Sequence, residues 1–222
     1  PLDDMQVLTT LAFDPLAVKK NRLTLMAGDA DGMTQAFVGD ITSAVPRFNA
    51  DASSVFEITA VTGYVASVTP AKTLTAAGAQ DVATLLQGLA KQMGFSFVNR
   101  GVSVTVRNIA LMGGPMEQAR QLADEARIDL ILDDGEMIAA PRGKLRQDDA
   151  QGSTPVLRDR TGLIGFPGFD AKGVVGRCLY EPRLMLGGPV RIESMVPKAS
   201  GLWRVTSLSH KLQANYAGAS AW

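Results

Sequence analysis

Two stretches of the chain carry the same change of hydrophobic period. Val82, Leu85, Leu86, Leu89 and Met93 fall at the spacing that gathers apolar groups on one helical face, and Phe95, Phe97, Val102, Val104 and Val106 then alternate as strand residues do. Moved on by 34 residues, the pattern returns. Pro115 suits a first helical position, Met116, Ala119, Leu122, Ala123 and Ala126 make the stripe, and Glu117 sits favourably in the first turn. Ile128, Leu130, Leu132 and Met137 then take the period of two. Asn99-Arg100-Gly101 and Asp133-Asp134-Gly135 hold residue types that tolerate the positive φ of a tight hairpin. The reading is two helix-plus-hairpin units, over Val82 to Val104 and Met116 to Ile138, packed as one small α/β module. A helical solenoid needs two helices per repeat and at least three repeats, so it is rejected. A duplication and two common supersecondary units in succession both fit the residues.

Around this module the pattern is mostly β. Asp3 and Asp4 precede Met5, Leu8, Leu11 and Ala12, which predicts a short helix over Leu2 to Phe13. Strands follow at Leu23 to Ala27, Gln35 to Ser43, Ser54 to Val61 and Tyr64 to Val68, with a turn at Gly28 to Gly32 and Pro70 closing the block. Thr73 to Gln80 is small and polar, a connector. After Ala140, Gln147 to Thr154 reads as a mobile loop, Thr161 to Phe169 is apolar and punctuated by Gly and Pro, and strands are predicted at Gly173 to Tyr180, Gly188 to Ser194 and Leu202 to Leu212. The fold class is therefore α+β and β-rich, with domains over 1–70, 71–144 and 145–222. The chain opens on Pro1 rather than Met and ends on Trp222 after a run of small residues, so it reads as part of a longer polypeptide.

Composition narrows the function classes. With 222 residues and 46% hydrophobic content the chain holds a folded core. Lys and Arg total 22, as do Asp and Glu, which gives no general electrostatic grip on nucleic acid or anionic membrane. One cysteine forms no internal disulfide and suits a reducing compartment. No apolar run approaches the roughly 20 residues that span a bilayer.

Candidate chemistry is sparse. Cys178, His210 and Asn215 are the only materials for a Cys/His machine, and Cys178 as a small core hydrophobe is the stronger reading. One His and one Cys leave a zinc site short of ligands. Asp29-Ala30-Asp31-Gly32 with Asp40 has the outline of a calcium loop, yet Met33 and Thr34 stand where an oxygen ligand and the obligatory glycine belong. Gly113-Gly114 and Gly187-Gly188 lack the rest of a phosphate loop. The pairs Asp133-Asp134 and Asp148-Asp149 sit in turn contexts that explain Asp for backbone reasons. No cofactor is expected. A chain so poor in titratable groups in apolar settings has the profile of an assembly part.

Ser53-Ser54-Val55-Phe56-Glu57-Ile58-Thr59-Ala60-Val61-Thr62-Gly63-Tyr64, and then Val68-Thr69-Pro70, resemble the baseplate hub proteins of contractile-tailed bacteriophages and prophages. The likeness continues in order through Asp81 to Leu86, Gln92 to Phe95, Asn99 to Val104, Thr161 to Pro167, Gly187 to Val190 and Gly201 to Val205, and Leu2-Asp3-Asp4-Met5 matches the family's short helix after its opening strands. The resemblance implies two β-barrel domains like tail-tube subunits with a small α/β domain between them. It implies a homotrimeric ring matching the sixfold tube to a threefold spike in the virion tail baseplate, assembled in the bacterial host cytoplasm. Spike, tail-tube and baseplate wedge proteins would be the partners, with phage DNA passing through the ring and no specific nucleic-acid binding. It brings no catalytic residues. Expected interface positions are Gln147, Asp148 and Asp149 in the loop, Gly188 and Arg191 on their strand, and Trp203 and Trp222, with core packing the alternative for Trp203. The competing class is a tail-associated peptidoglycan-cleaving enzyme, for which Glu57, Glu117, Glu125, Glu136, Glu181 and Glu193 are the available Glu and Glu57 is the one to inspect.

Overall fold

In the computed structural model, which describes residues 21–29, 32–48, 54–133, 135–146, 154–159 and 161–213, the alternation early in the chain becomes a three-stranded sheet. Its strands β1 (Arg22–Asp29), β2 (Gly32–Phe48) and β3 (Ser54–Val61) lie in that order, with β2 and β3 antiparallel and the register shifting between Ile41 and Ser43. The helix expected over Leu2 to Phe13 lies outside the described residues.

Tyr64 to Val68, expected as a strand, is instead a one-turn helix, α1 (Tyr64–Val68). Its β-branched residues are overruled by their surroundings. Gly63 turns the chain at φ 74°, Asp40 Oδ2 accepts the Val65 N–H at 3.0 Å, and Thr69 Oγ1 donates to Val65 O at 2.6 Å.

The α/β module follows as β4 (Leu74–Asp81), α2 (Val82–Met93), β5 (Ser96–Asn99), β6 (Thr105–Leu111), α3 (Pro115–Glu125), β7 (Ile128–Asp133) and β8 (Glu136–Pro141). Both helices sit where the apolar stripes put them. Asp81 caps α2 by accepting the Thr84 N–H at 2.9 Å, and Gly94 ends it at φ 75°. Pro115 opens α3, and buried Gln118 donates through Nε2 to Lys72 O and Gly113 O, both at 2.9 Å.

The strands depart from expectation in one respect. β7 and β8 form the second hairpin, but the first does not exist: β5 runs parallel to β8, and β6 pairs antiparallel with β4, in the segment expected to be a mere connector. Asn99 is the local cause, since its side chain accepts the Val102 N–H at 2.7 Å and donates to Val102 O at 3.0 Å, closing a turn that directs the chain away from β5. The two similar units thus share sheets rather than standing as separate hairpins. Val82, Leu86, Leu89, Leu122, Met137 and Ile138 are fully buried in this region.

The described residues form two compact units, 21–26 with 35–142, and 27–34 with 143–213. In the second, β9 (Val156–Arg158), β10 (Leu163–Asp170), β11 (Gly173–Cys178), β12 (Pro189–Glu193) and β13 (Gly201–Arg204) make a sheet of order β13-β12-β9 and a separate β10–β11 ribbon. The β9–β12 pairing is parallel and the other two are antiparallel. Leu157, Leu163, Leu184 and Val190 are its core, with Cys178, Trp203 and Val205 packed against them. The long strand expected over Leu202 to Leu212 stops at Arg204, because β12 offers partners for β13 only from Pro189 to Ile192.

The described residues are 50% strand and 18% helix, a β-rich α+β protein, and none of their five sheets closes into a barrel. No described helix is long and apolar enough to cross a membrane.

Candidate assembly interface

A hydrolase built on Glu57 needs that carboxylate in a cleft with a second one. Its side chain is instead half exposed on β3 and paired with Arg47 on β2, an opposite-charge pair on one sheet face. Glu181 is held by Arg183, whose Nε and Nη2 donate to it at 2.8 and 2.7 Å and keep the carboxyl below its ordinary range. Glu193 is likewise lowered by the two-pronged hydrogen bonding of Arg158, its register partner across the β9–β12 ladder. Each of these three Glu is occupied by an Arg.

Cys178 is half buried, and its thiol is pushed up by that burial and then by the Glu181 carboxylate, the opposite of an activated nucleophile. His210 meets Tyr180 edge to face, with ring centroids 5.3 Å apart. Tyr180 OH in turn lies 3.2 Å from Thr34 Oγ1, so Tyr180 links Thr34 on β2 with His210 within the second unit. No group of three or more His, Cys, Asp or Glu is placed to hold a metal among the described residues.

The expected interface residues divide. Gln147, Asp148, Asp149 and Trp222 lie outside the described residues. Gly188 is buried; its N–H donates to Met185 O at 3.0 Å, and a Cβ there would stand 2.7 Å from Met185 Cγ. Arg191 is on the exposed face of β12. Trp203 packs on the second unit's core and donates from Nε1 to Ala199 O at 2.8 Å.

The strongest surface feature was missed by the sequence reading. Phe166 is 70% exposed and Phe169 56%, and Ile164 and Val175 are exposed beside them on the β10–β11 ribbon. On the first sheet Phe48 is 69% exposed, accompanied by Leu25, Met26, Val55, Ile58 and Val61. Contiguous apolar exposure on strands is typical of contact surfaces; here Val55 and Val61 alternate to the sheet face opposite Phe48 and Ile58. The available signal was the run Leu163-Ile164-Gly165-Phe166-Pro167, too apolar and too irregular for a half-buried strand.

Comparison with known proteins gives a family. A family model described as baseplate hub gp41 matches residues 10–216. The crystal structure of the 43 kDa tail protein of prophage MuSo2 from Shewanella oneidensis is similar at a TM-score of 0.51 and 12% identity, covering 76% of this chain and 70% of that one. The tail protein from Neisseria meningitidis MC58 is similar at 0.56 and 10% identity, covering 77% and 74%. At these identities the likeness is one of fold. No curated protein matches the chain.

Proposed function

The chain belongs to the baseplate hub gp41 family, and from that premise we propose that three copies close into a ring that adapts the sixfold tube of a contractile phage tail to a threefold spike. The family match across residues 10–216 carries the reading, since it makes the protein a structural component of a phage tail baseplate.

Each copy would bring two tube-like barrel domains, over 1–70 and 145–222, on either side of the α/β domain at 71–144. The β-rich composition and the antiparallel pairings in both outer regions support this. The partners would be the spike, the tail tube and the baseplate wedge, with phage DNA passing through the opening and assembly taking place in the host cytoplasm. A structural role is further supported by the carboxylates: Glu57, Glu181 and Glu193 each face an Arg.

The test is position in the assembled particle. A gold-labelled tag on this protein in purified tails is expected at the baseplate end alone. Label along the whole tube, or none on intact tails, refutes the assignment.

A further inference from the structure

We propose that Met112 and Met195 are peroxide-modification sites of the folded protein, each thioether taking up one oxygen as the sulfoxide, while packing withholds Met116 and Met137 from the same reaction. This goes beyond the structural role and does not depend on the ring.

Both sites stand on turns that hold the backbone and leave the side chain in solvent. Along β6, Ile109 and Leu111 are buried and Ala110 is exposed, and the alternation carries on to an exposed Met112. Gly113 follows at φ 90°, and its carbonyl accepts from Gln118 Nε2 at 2.9 Å, which fixes the turn. Met195 lies just past β12. There Ser200 Oγ donates to Ser194 O at 3.0 Å and accepts the Ser194 N–H at 3.1 Å, and Ser194 Oγ accepts the Val196 N–H at 3.2 Å. Met195 is 78% exposed and Met112 68%, more than any other described methionine, with Met33 and Met26 next.

The contrast within the chain is steep. Met116 is four residues beyond Met112, on the first turn of α3, yet it is buried in the core. A Cβ at Gly63 would stand 2.9 Å from Met116 Cε, so the methyl on that sulfur lies against the Gly63 backbone. Met137 on β8 is fully buried in the same core.

The chemistry asks only for access to sulfur. A sulfur lone pair attacks one oxygen of hydrogen peroxide, the S–O bond forms as the O–O bond breaks, and the departing hydroxide takes the proton from the transferred oxygen and leaves as water. Sulfur gives up two electrons and the peroxide gains them. At an exposed turn water solvates the new S–O dipole. In the core the same dipole would be a buried polar group without a partner, which adds to the cost of reaching the sulfur.

The experiment treats the folded wild-type protein with hydrogen peroxide, quenches at intervals, and maps oxygen uptake peptide by peptide by mass spectrometry, with a thermal melt at each stage. Met195 and Met112 are expected to react first, on the order of tenfold faster than Met116 and Met137, with an unchanged melt when two oxygens have been taken up. Denaturing urea is expected to bring all four to similar rates. A Met112→Leu/Met195→Leu variant is expected to lose the fast phase and keep the slow one. Uptake at Met116 or Met137 as fast as at Met195 in protein that still melts cooperatively overturns the proposal. So does loss of the cooperative melt once Met112 and Met195 alone are oxidised.

Discussion

Arg127 takes φ 53° just beyond the end of α3, a left-handed conformation that glycine adopts freely and arginine does not. Arg127→Gly is therefore expected to raise stability by about 1 kcal/mol in urea unfolding. A lower midpoint would contradict it. Gly63 is the reverse case. Its φ is 74°, and an added Cβ would stand 2.9 Å from Met116 Cε and 3.4 Å from Phe95 Cζ, so Gly63→Ala is expected to lose about 1–3 kcal/mol. At Cys178, burial and then the Glu181 carboxylate disfavour the thiolate. Alkylation at pH 8 should be slower than for a free thiol, and Glu181→Gln should speed it; a fast, Glu181-independent reaction would contradict this environment. Positive φ at a lone Arg had no signal in the sequence, since nothing about residue type marks it.

Among the elements, α2 and α3 were legible because their apolar stripes face one core shared by both. Leu122 lies fully buried in it, and Leu122→Ala is expected to cost about 2–5 kcal/mol. The helix α1 was illegible because its first turn is stabilised by Asp40, 25 residues away, while its own residues favour a strand. The strand β4 was hidden by its small residues, Ala76, Ala77, Gly78 and Ala79, and exists because β6 pairs with it. At the end of the β9–β12 ladder, hydrogen bonding from Arg158 lowers the Glu193 carboxyl. A carboxylate with a depressed folded pKa contributes stability that is present above its unfolded pKa and lost as pH falls through the folded one. Any difference in melting temperature between wild type and Glu193→Gln should thus be present at neutral pH and vanish in acid below the ordinary carboxylate range. A difference that persists there would show that the ion pair is not its source.

At the scale of the whole molecule, the order of elements, β, then α/β, then β, was legible. The exposed apolar strand residues were not. Phe48, Phe166 and Phe169 look like core residues in a sequence, and their exposure follows from sheets of two and three strands that leave apolar faces open. Surfaces of this kind suit a subunit that completes its burial in an assembly. The most direct test is the solution mass of the full-length protein by light scattering across a wide concentration range. Three times the mass of one chain is the expected result. A mass that stays at one chain at every concentration would contradict a hub that closes its own ring.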